Sequence, residues 1–255
     1  MIEIHSLTFA YLHASPLFEN YSITIPRGET WTILGPSGCG KTTLLYLLAG
    51  LRQPTEGAIK IDGELLTRPR PRSGLILQDY GLLPWATVRE NAELGLRVRE
   101  FYGPDNKHVP DNFKPKLSVS HWLERLGITG IADKFPSQIS GGQRQRTAIV
   151  RTLALEPDLI LMDEPFSALD AITREDLQNL TLSLCAEQNL TLVMVTHAIE
   201  EAIALGKKIL TLGMPPNKEA KIFDNPNAGN AEYRKSKEYL EMYQALREEL
   251  SHETA

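Results

Sequence analysis

The sequence predicts an α/β fold with a mixed sheet core, an antiparallel β subdomain and an inserted helical subdomain. Short apolar runs that read as buried strands alternate with helical patterns, which is typical of parallel strands covered by helices. The predicted core strands are residues 31–34, 75–77, 159–162, 192–196 and 209–212, and the predicted helices are residues 42–49, 143–155, 173–187 and 199–205.

The N-terminal region and the middle third depart from this alternation. Residues 2–25 and 58–61 look like short antiparallel strands separated by turn signals. Further along, Ser120 is expected to cap a helix that ends at Gly127. These patterns predict an antiparallel subdomain at the start and a helical subdomain inserted at about residues 85–155.

The remaining segments predict a surface loop and a terminal helix. Residues 101–117 are polar and contain three prolines, which favours a loop. Residues 232–250 carry apolar side chains at helical spacing and predict an amphipathic helix. The chain is therefore divided into a main domain, residues 1–230, and a C-terminal helical segment, residues 231–255.

Composition excludes several classes of protein. The chain has 255 residues, of which 42% are hydrophobic and 23% charged, so it is long enough for one or two globular domains. The net charge of −5 argues against a broad nucleic-acid-binding face. No apolar run reaches the roughly 18 residues of a membrane span, and the N-terminus lacks the pattern of a signal peptide. Two distant cysteines, Cys39 and Cys185, give no disulfide framework, which fits a reducing cytoplasm.

A phosphate-binding pattern follows the first core strand. Residues 35–42 read Gly-Pro-Ser-Gly-Cys-Gly-Lys-Thr, which fits the P-loop pattern GxxxxGK[ST] between an apolar strand and an apolar helix. Backbone N–H groups of such a loop wrap phosphates, and Gly38 and Gly40 permit the close approach. We expect Lys41 to reach the β- and γ-phosphates and the Thr42 hydroxyl to coordinate Mg²⁺.

An apolar strand at residues 159–162 ends in two carboxylates, Asp163 and Glu164. A strand buried on both faces rarely ends in acidic residues without a chemical reason. Asp163 is therefore expected to bind Mg²⁺, and Glu164 is expected to act as the general base that polarises the attacking water.

A second phosphate-binding pattern narrows the class of phosphate-binding protein to which this sequence can belong. Ser140, Gly141, Gly142 and Gln143 precede a predicted helix about 20 residues before the acidic strand end. A hydroxyl and two glycines leave free N–H groups and a helix N-terminus facing outward. The alternative is a simple helix cap at Ser140, which does not require two glycines. This segment resembles the LSGGQ signature of ATP-binding cassette (ABC) ATPases.

The resemblance implies roles for residues that the other patterns leave unassigned. Tyr11 matches the ring that stacks on adenine, with Phe9 as a nearby competitor, and Gln78 matches the Q-loop glutamine, which contacts Mg²⁺ and water. Asp170 ends the motif that matches the D-loop, and His197 matches the switch histidine that contacts the γ-phosphate. The implied catalytic residues are Lys41, Gln78, Glu164 and His197, and the implied Mg²⁺ ligands are Thr42, Gln78 and Asp163. The implied ATP-binding residues are Tyr11, Gly35, Pro36, Ser37, Gly38, Cys39 (a small filler, not a redox switch), Gly40, Lys41, Thr42, Thr43, Ser140, Gly141, Gly142, Gln143 and Asp170.

The resemblance also implies how such a chain works. ABC cassettes pair so that the P-loop of one subunit and the signature of the other enclose ATP, and the pair is expected to be a homodimer. ATP closes the dimer and hydrolysis opens it, and this motion is passed to transmembrane permease subunits. The implied location is peripheral, on the cytoplasmic face of the membrane, and no nucleic acid is expected as a partner.

The residues after Gln78 point to one branch of the family. A Leu-Pro-Trp stretch ending at Trp85 and followed by Asn91 resembles importers of the nitrate, sulfonate, taurine and bicarbonate group, whose relatives carry thiamine-precursor pyrimidines. These importers also use an extracytoplasmic solute-binding protein. Leu82, Leu83 and Trp85 suit a groove for the permease, and the alternative is that they pack inside the cassette.

Three other functions stay open beside the importer. An exporter or lipoprotein-release ATPase would share the ATP chemistry and lack a binding protein. A DNA-repair or chromosome-organising ABC ATPase would interrupt the cassette with long heptad coiled coils, which this sequence lacks. A catalytically inactive regulatory cassette would have lost one of the residues that act on ATP, whereas Lys41, Ser140, Asp163, Glu164 and His197 are all present.

Overall fold

The structure is a computed structural model and describes residues 1–103, 109 and 113–252. Over these residues the ten strands are β1 (Ile2–Phe9), β2 (Phe18–Ile25), β3 (Thr30–Leu34), β4 (Glu56–Ile61), β5 (Glu64–Leu65), β6 (Ser73–Ile76), β7 (Leu159–Asp163), β8 (Thr191–Thr196), β9 (Lys208–Thr211) and β10 (Lys221–Asp224). The seven α-helices of the same residues are α1 (Lys41–Leu48), α2 (Val88–Tyr102), α3 (Val119–Arg125), α4 (Gly141–Leu153), α5 (Ala171–Gln188), α6 (Ile199–Leu205) and α7 (Lys237–His252).

The chain divides into two compact units. The first unit combines Met1–Pro69 with Thr181–Ala255, and the second is Arg70–Leu180. The helical subdomain predicted at about residues 85–155 falls within the second unit.

An antiparallel sheet of the first unit has the strand order β2-β1-β4-β5. Strand β1 pairs with β2 on one side and β4 on the other, so that Ile2 lies opposite both Ile25 and Ile61. Isoleucine side chains at these positions are buried, and β-branched residues pack well on a pleated surface. This sheet confirms the antiparallel subdomain predicted from the N-terminal sequence.

A mixed sheet in the first unit carries the phosphate-binding loop. Strand β3 is parallel to both β8 and β9, and β10 is antiparallel to β9. All five residues of β3 and all six of β8 are buried, as expected for parallel strands covered on both faces. The carboxyl ends of β3 and β8 therefore lie side by side, which is where α/β folds place their ligand sites.

The second unit contains a parallel strand pair and helices α2, α3 and α4. Strand β6 pairs with β7, with Ile76 opposite Met162. Strand β7 is buried along its whole length and delivers Asp163 and Glu164 at its carboxyl end. Helices α2 and α3 both pack against α4, the helix that follows the predicted signature.

The C-terminal helix packs on the first unit. A short 3₁₀ helix, Tyr233–Lys235, precedes α7, so the terminal α-helix begins at Lys237 and not at residue 232 as predicted. Buried Leu246 joins a cluster that includes Ile203 and Ile209. The apolar stripe of α7 is therefore covered by its own chain, and the last three residues of the predicted segment, 253–255, lie outside the described residues.

Two sequence predictions in the helical region were wrong in detail. Helix α3 is capped by Ser118, whose hydroxyl accepts the N–H of His121 at 3.2 Å, and not by Ser120. Helix α2 continues through Tyr102, so the predicted loop at residues 101–117 starts later, and residues 104–108 and 110–112 of that loop lie outside the described residues. Both errors arise because the local sequence offers two acceptable helix ends and packing selects one.

The described part of the chain has no helix that is both long and apolar enough to cross a bilayer.

Candidate functional site

The P-loop of the first unit connects β3 to α1. Gly38 and Gly40 have positive φ angles of 83° and 107°, a backbone conformation that glycine adopts without strain. Gly40 is the N-cap of α1 and offers no capping side chain to the first turn of that helix. This backbone geometry suits the predicted phosphate cradle, and the helix dipole adds a positive end to it.

Lys41 is the cation of this loop and is 7% exposed. Its Nζ donates to the backbone oxygen of Gly35 at 2.7 Å and to that of Pro36 at 2.9 Å. Cys39 is fully buried, which agrees with a packing role. The ammonium is thus held over the loop by carbonyl groups that neutralise none of its charge.

Tyr11 lies beside the P-loop helix, whereas its competitor Phe9 does not face solvent. Phe9 is 6% exposed and Tyr11 is 40% exposed. The Tyr11 hydroxyl and the Thr43 hydroxyl are 3.1 Å apart, and the Arg52 guanidinium lies 5.6 Å from the Tyr11 ring centre. An exposed ring fixed next to the phosphate loop can stack on a planar base, so Tyr11 is the better candidate.

His197 follows the carboxyl end of β8 and has an exposed side chain. The Thr196 hydroxyl donates to the buried carboxylate of Glu201 at 2.7 Å and accepts the N–H of Ala198 at 3.1 Å. One hydroxyl therefore fixes the backbone on both sides of His197. Sequence reasoning missed Glu201, although an acidic residue in the first turn of a helix is a recognisable signal.

The acidic strand end of the second unit meets the predicted Q-loop. Asp163 is 6% exposed, and Gln78 Nε2 donates to Glu164 Oε2 at 3.4 Å. The backbone oxygen of Glu164 accepts the Ser167 hydroxyl at 3.0 Å, and Glu164 has a φ of 44°. Glu164 is thus held in an uncommon backbone conformation beside an amide that can also orient water.

The predicted signature begins α4. Ser140 accepts the N–H of Gln143, and the Gln143 side chain accepts the N–H of Ser140, which makes a reciprocal capping box. The simple-cap alternative therefore explains Ser140 and Gln143 but not the glycines. A Cβ on Gly142 would lie 2.5 Å from the Thr173 side chain, so Gly142 is required by the close packing of α4 on α5.

Replacing Gly142 by alanine should lower the free energy of unfolding by about 1–3 kcal/mol, because the added methyl overlaps the Cγ2 atom of Thr173. Urea denaturation measures this loss. Adding Thr173→Ser, which removes that Cγ2 atom, should restore most of the stability. A Gly142→Ala protein as stable as the wild type would contradict the packing explanation.

Asp170 caps the start of α5. Its Oδ1 accepts the Thr173 N–H at 3.0 Å, and the hydrogen bonds from Thr173 hold the pKa of the Asp170 carboxyl below its usual range. These hydrogen bonds favour the ionised carboxylate and hold the turn of the predicted D-loop in place.

The segment after Gln78 is attached to α4 by a residue that the sequence did not single out. Arg151 donates to the backbone oxygens of Tyr80 at 2.8 Å and Gly81 at 2.6 Å. Burial lowers the pKa of the Arg151 guanidinium, and nearby Asp79 opposes this effect. The Q-loop and the signature helix thus share one cation, within the second unit.

Asn91 builds the turn that carries the Leu-Pro-Trp stretch. This fully buried side chain accepts the N–H of Leu83 at 2.7 Å and donates to the oxygens of Leu83, Ala86 and Thr87 at 2.9–3.1 Å. Trp85 is 73% exposed at the top of this turn. The alternative that these residues pack inside the cassette is therefore wrong for Trp85, while Leu82 and Leu83 are half-buried.

The predicted magnesium ligands have suitable chemistry. Thr42 is exposed in the first unit, and Gln78 and Asp163 belong to the second. A hydroxyl, an amide oxygen and one carboxylate are the hard oxygen donors that Mg²⁺ prefers alongside phosphate and water. The described residues contain no cluster of three or more histidine, cysteine or acidic side chains that could hold a metal.

Comparison with known proteins identifies the family. A family model described as ABC transporter matches residues 18–167. The chain belongs to the ABC transporter family. This cassette is 40% identical to an aliphatic sulfonates import ATP-binding protein, SsuB of Bacillus cereus, over 85% of this chain and 83% of the relative. It is also 40% identical to the taurine import ATP-binding protein TauB of Pelagibacter ubique, over 82% and 76%.

A solved ABC cassette shares the same fold. The dimeric ATP-binding cassette MJ0796, in a post-hydrolysis state bound to ADP and Pi, aligns with a TM-score of 0.72 and 30% identity, over 88% of this chain and 98% of that one. The predicted family, fold class and ATPase activity of the cassette are therefore confirmed.

Proposed function

We propose that this cassette is the ATPase subunit of an importer for a small solute of the sulfonate or taurine class. The observation that carries the proposal is 40% identity over more than 80% of the chain to ATP-binding proteins named for aliphatic sulfonate import and taurine import. Two copies would pair, dock on permease subunits at the cytoplasmic face of the membrane and receive solute from an extracytoplasmic binding protein.

The proposed division of work follows the two units. In the first, the P-loop N–H groups and Lys41 hold the phosphates, Tyr11 stacks on the adenine ring, and His197 contacts the γ-phosphate. In the second, Glu164 accepts a proton from the attacking water, and Gln78 orients that water through its amide. Ser140 and the glycines after it would bind the ATP held by the partner cassette.

The three predicted ligands in these units suit a magnesium ion. Thr42, Gln78 and Asp163 would hold it, and when bound it would neutralise charge on the β- and γ-phosphates. The buried position of Asp163 keeps its carboxylate fixed at the end of β7.

The turn around Trp85 is the proposed permease contact. Trp85 exposes a large apolar ring on a turn that Asn91 makes rigid. Buried tryptophan anchors dominate many protein interfaces, because they bury a large area at low entropic cost. A rigid exposed tryptophan therefore suits a partner with an apolar pocket.

Replacing Trp85 by alanine should leave the ATPase rate of the isolated cassette within about twofold and weaken permease binding about tenfold or more. The check is ATPase activity together with co-purification of the permease. Phe101→Ala is a matched control, because Phe101 is an exposed aromatic residue at the end of α2, outside this turn. A Trp85→Ala protein that fails to fold, or that binds permease like the wild type, would contradict the assignment.

The function itself is tested by recovering the partners. Tagged Glu164→Gln protein is purified from native membranes with ATP and Mg²⁺, and the associated proteins are identified by mass spectrometry. We expect a multispanning permease and an extracytoplasmic binding protein. Titration of that binding protein with taurine and with alkanesulfonates then tests the solute class.

Other outcomes would redirect the proposal. A membrane protein recovered without a binding protein would favour an exporter or a lipoprotein-release system. Recovery of DNA or repair proteins would overturn transport while leaving the ATPase chemistry. A binding protein that prefers nitrate, bicarbonate or a pyrimidine would keep import and change the solute.

A further inference from the structure

Asn217, which lies between β9 and β10, contacts the P-loop through a side-chain hydrogen bond. It is 6% exposed, and its Nδ2 donates to the backbone oxygen of Cys39 at 2.9 Å and to that of Leu17 at 3.2 Å. Its Oδ1 accepts the N–H of Gly213 at 2.9 Å. Both N–H groups and the oxygen of the side-chain amide are therefore used, which makes Asn217 a well-defined joint between three segments of the first unit.

The backbone of Asn217 strengthens this joint. Its N–H donates to the oxygen of Leu17 at 2.9 Å, and its own oxygen accepts the N–H of Glu19 at 3.0 Å. The loop is also packed closely nearby, since a Cβ on Gly35 would lie 2.5 Å from the oxygen of Leu212. The start of β2 and the β9–β10 connection thus support the P-loop through hydrogen bonds and close packing.

The contact with Cys39 fixes the direction of one phosphate-binding group. A trans peptide plane directs its C=O and the next N–H to opposite sides. Because Asn217 binds the carbonyl of Cys39, the N–H of Gly40 must point away from Asn217. Rotation of this peptide would break a buried hydrogen bond and leave the amide of Asn217 unpaired, which is costly in the protein interior.

We propose that Asn217 is a positioning residue for ATP binding, which orients the Cys39–Gly40 peptide so that the Gly40 N–H faces the phosphates. This inference rests on the proposed phosphate-binding role of the P-loop. Asn217 acts through the loop backbone and touches no substrate. Loss of the Asn217 side chain should therefore weaken the binding of nucleotides that carry several phosphates, beyond any effect of a less stable fold.

The chain offers a closely matched control in Asn225. This residue is fully buried in the same unit, and its Nδ2 donates to the backbone oxygens of Ile203 at 2.8 Å and Gly206 at 2.7 Å. Like Asn217, it therefore donates two hydrogen bonds from its side-chain amide to backbone oxygens, but it does not contact the P-loop. Asn225→Ala should cost stability in a similar way and leave nucleotide binding unchanged.

The experiment measures ATP and ADP dissociation constants by calorimetry for the wild type, Asn217→Ala, Asn225→Ala and Lys41→Ala, at a temperature where each is folded. We expect Asn217→Ala to bind ATP about tenfold more weakly, which is the effect of losing about one hydrogen bond. The Gly40 amide resonance should also shift less on ADP addition in Asn217→Ala than in the wild type. If alanine prevents folding, the isosteric Asn217→Asp keeps the acceptor and removes both donors, and it should show the same loss.

The outcomes separate this inference from the function on which it rests. Wild-type affinity in Asn217→Ala or Asn217→Asp, with binding abolished in Lys41→Ala, would overturn the role of Asn217 alone. An equal loss of affinity in Asn217→Ala and Asn225→Ala would overturn it too, because general destabilisation would then explain both. No nucleotide binding by the wild type would overturn both the proposed function and the inference.

Discussion

Glu164→Gln should bind ATP with nearly wild-type affinity and hydrolyse it about 10²–10⁴-fold more slowly. The substitution preserves shape and keeps an oxygen that can accept the hydrogen bond from Gln78, seen at 3.4 Å. It removes the proton acceptor proposed for the attacking water, and general-base catalysis typically contributes a factor of this size. ATP-bound dimers should accumulate, because hydrolysis is the step that opens them in the proposed cycle.

Single-turnover hydrolysis, nucleotide affinity and size-exclusion chromatography with ATP and Mg²⁺ test this result. Glu124→Gln, at an exposed position on α3, is a control for the loss of one negative charge in the same unit. Wild-type turnover in Glu164→Gln would show that another group is the base. Loss of ATP affinity would instead place Glu164 in binding.

Lys41→Ala should weaken ATP binding by about 100-fold or more. The ammonium is the cation of the P-loop and is held there by the oxygens of Gly35 and Pro36. Each hydrogen bond to a charged group is worth about 1.5–3 kcal/mol, and two phosphates would lose one each. Hydrolysis at ordinary ATP concentrations should fall with the loss of binding.

Calorimetric titration with ATP and ADP measures the change, and a thermal scan shows whether the variant is folded. Lys208→Ala is the control, because Lys208 belongs to the first unit and pairs with Asp224 away from the P-loop. Unchanged affinity in Lys41→Ala would contradict the phosphate-binding assignment. An equal loss in Lys208→Ala would show that net charge, and not the position of Lys41, governs binding.

The predictable parts of the fold are those in which local sequence and packing agree. All residues of strands β3 and β8 are buried, and both strands lie within one residue of their predicted starts. The bounds of helix α2 do not follow from the sequence, although Thr87 and Glu90 form a capping box at its start, because most of its side chains are polar and the apolar face is narrow. The cap of α3 was misplaced by two residues because Ser118 and Ser120 are equally good caps locally.

The candidate site likewise contains residues that the sequence predicts and residues that it does not. Glycines, Lys41 and the acidic pair after β7 follow patterns whose spacing is set by phosphate and metal chemistry, so the sequence alone points to them. The supporting roles of Asn91, Arg151 and Asn217 do not follow from the sequence, because asparagine and arginine are usually exposed and only the folded chain brings backbone groups to them. Which residues support a site depends on tertiary contacts, and such contacts produce no periodic pattern in the sequence.

The unequal exposure of the three tryptophans gives this cassette an optical signal of its own. Trp31 and Trp122 are 3% and 4% exposed, whereas Trp85 is 73% exposed. Acrylamide or iodide in solution will therefore quench mainly the emission of Trp85. When a partner covers that ring, its fluorescence should shift to shorter wavelength and become protected from the quencher, so association can be followed in real time without a label.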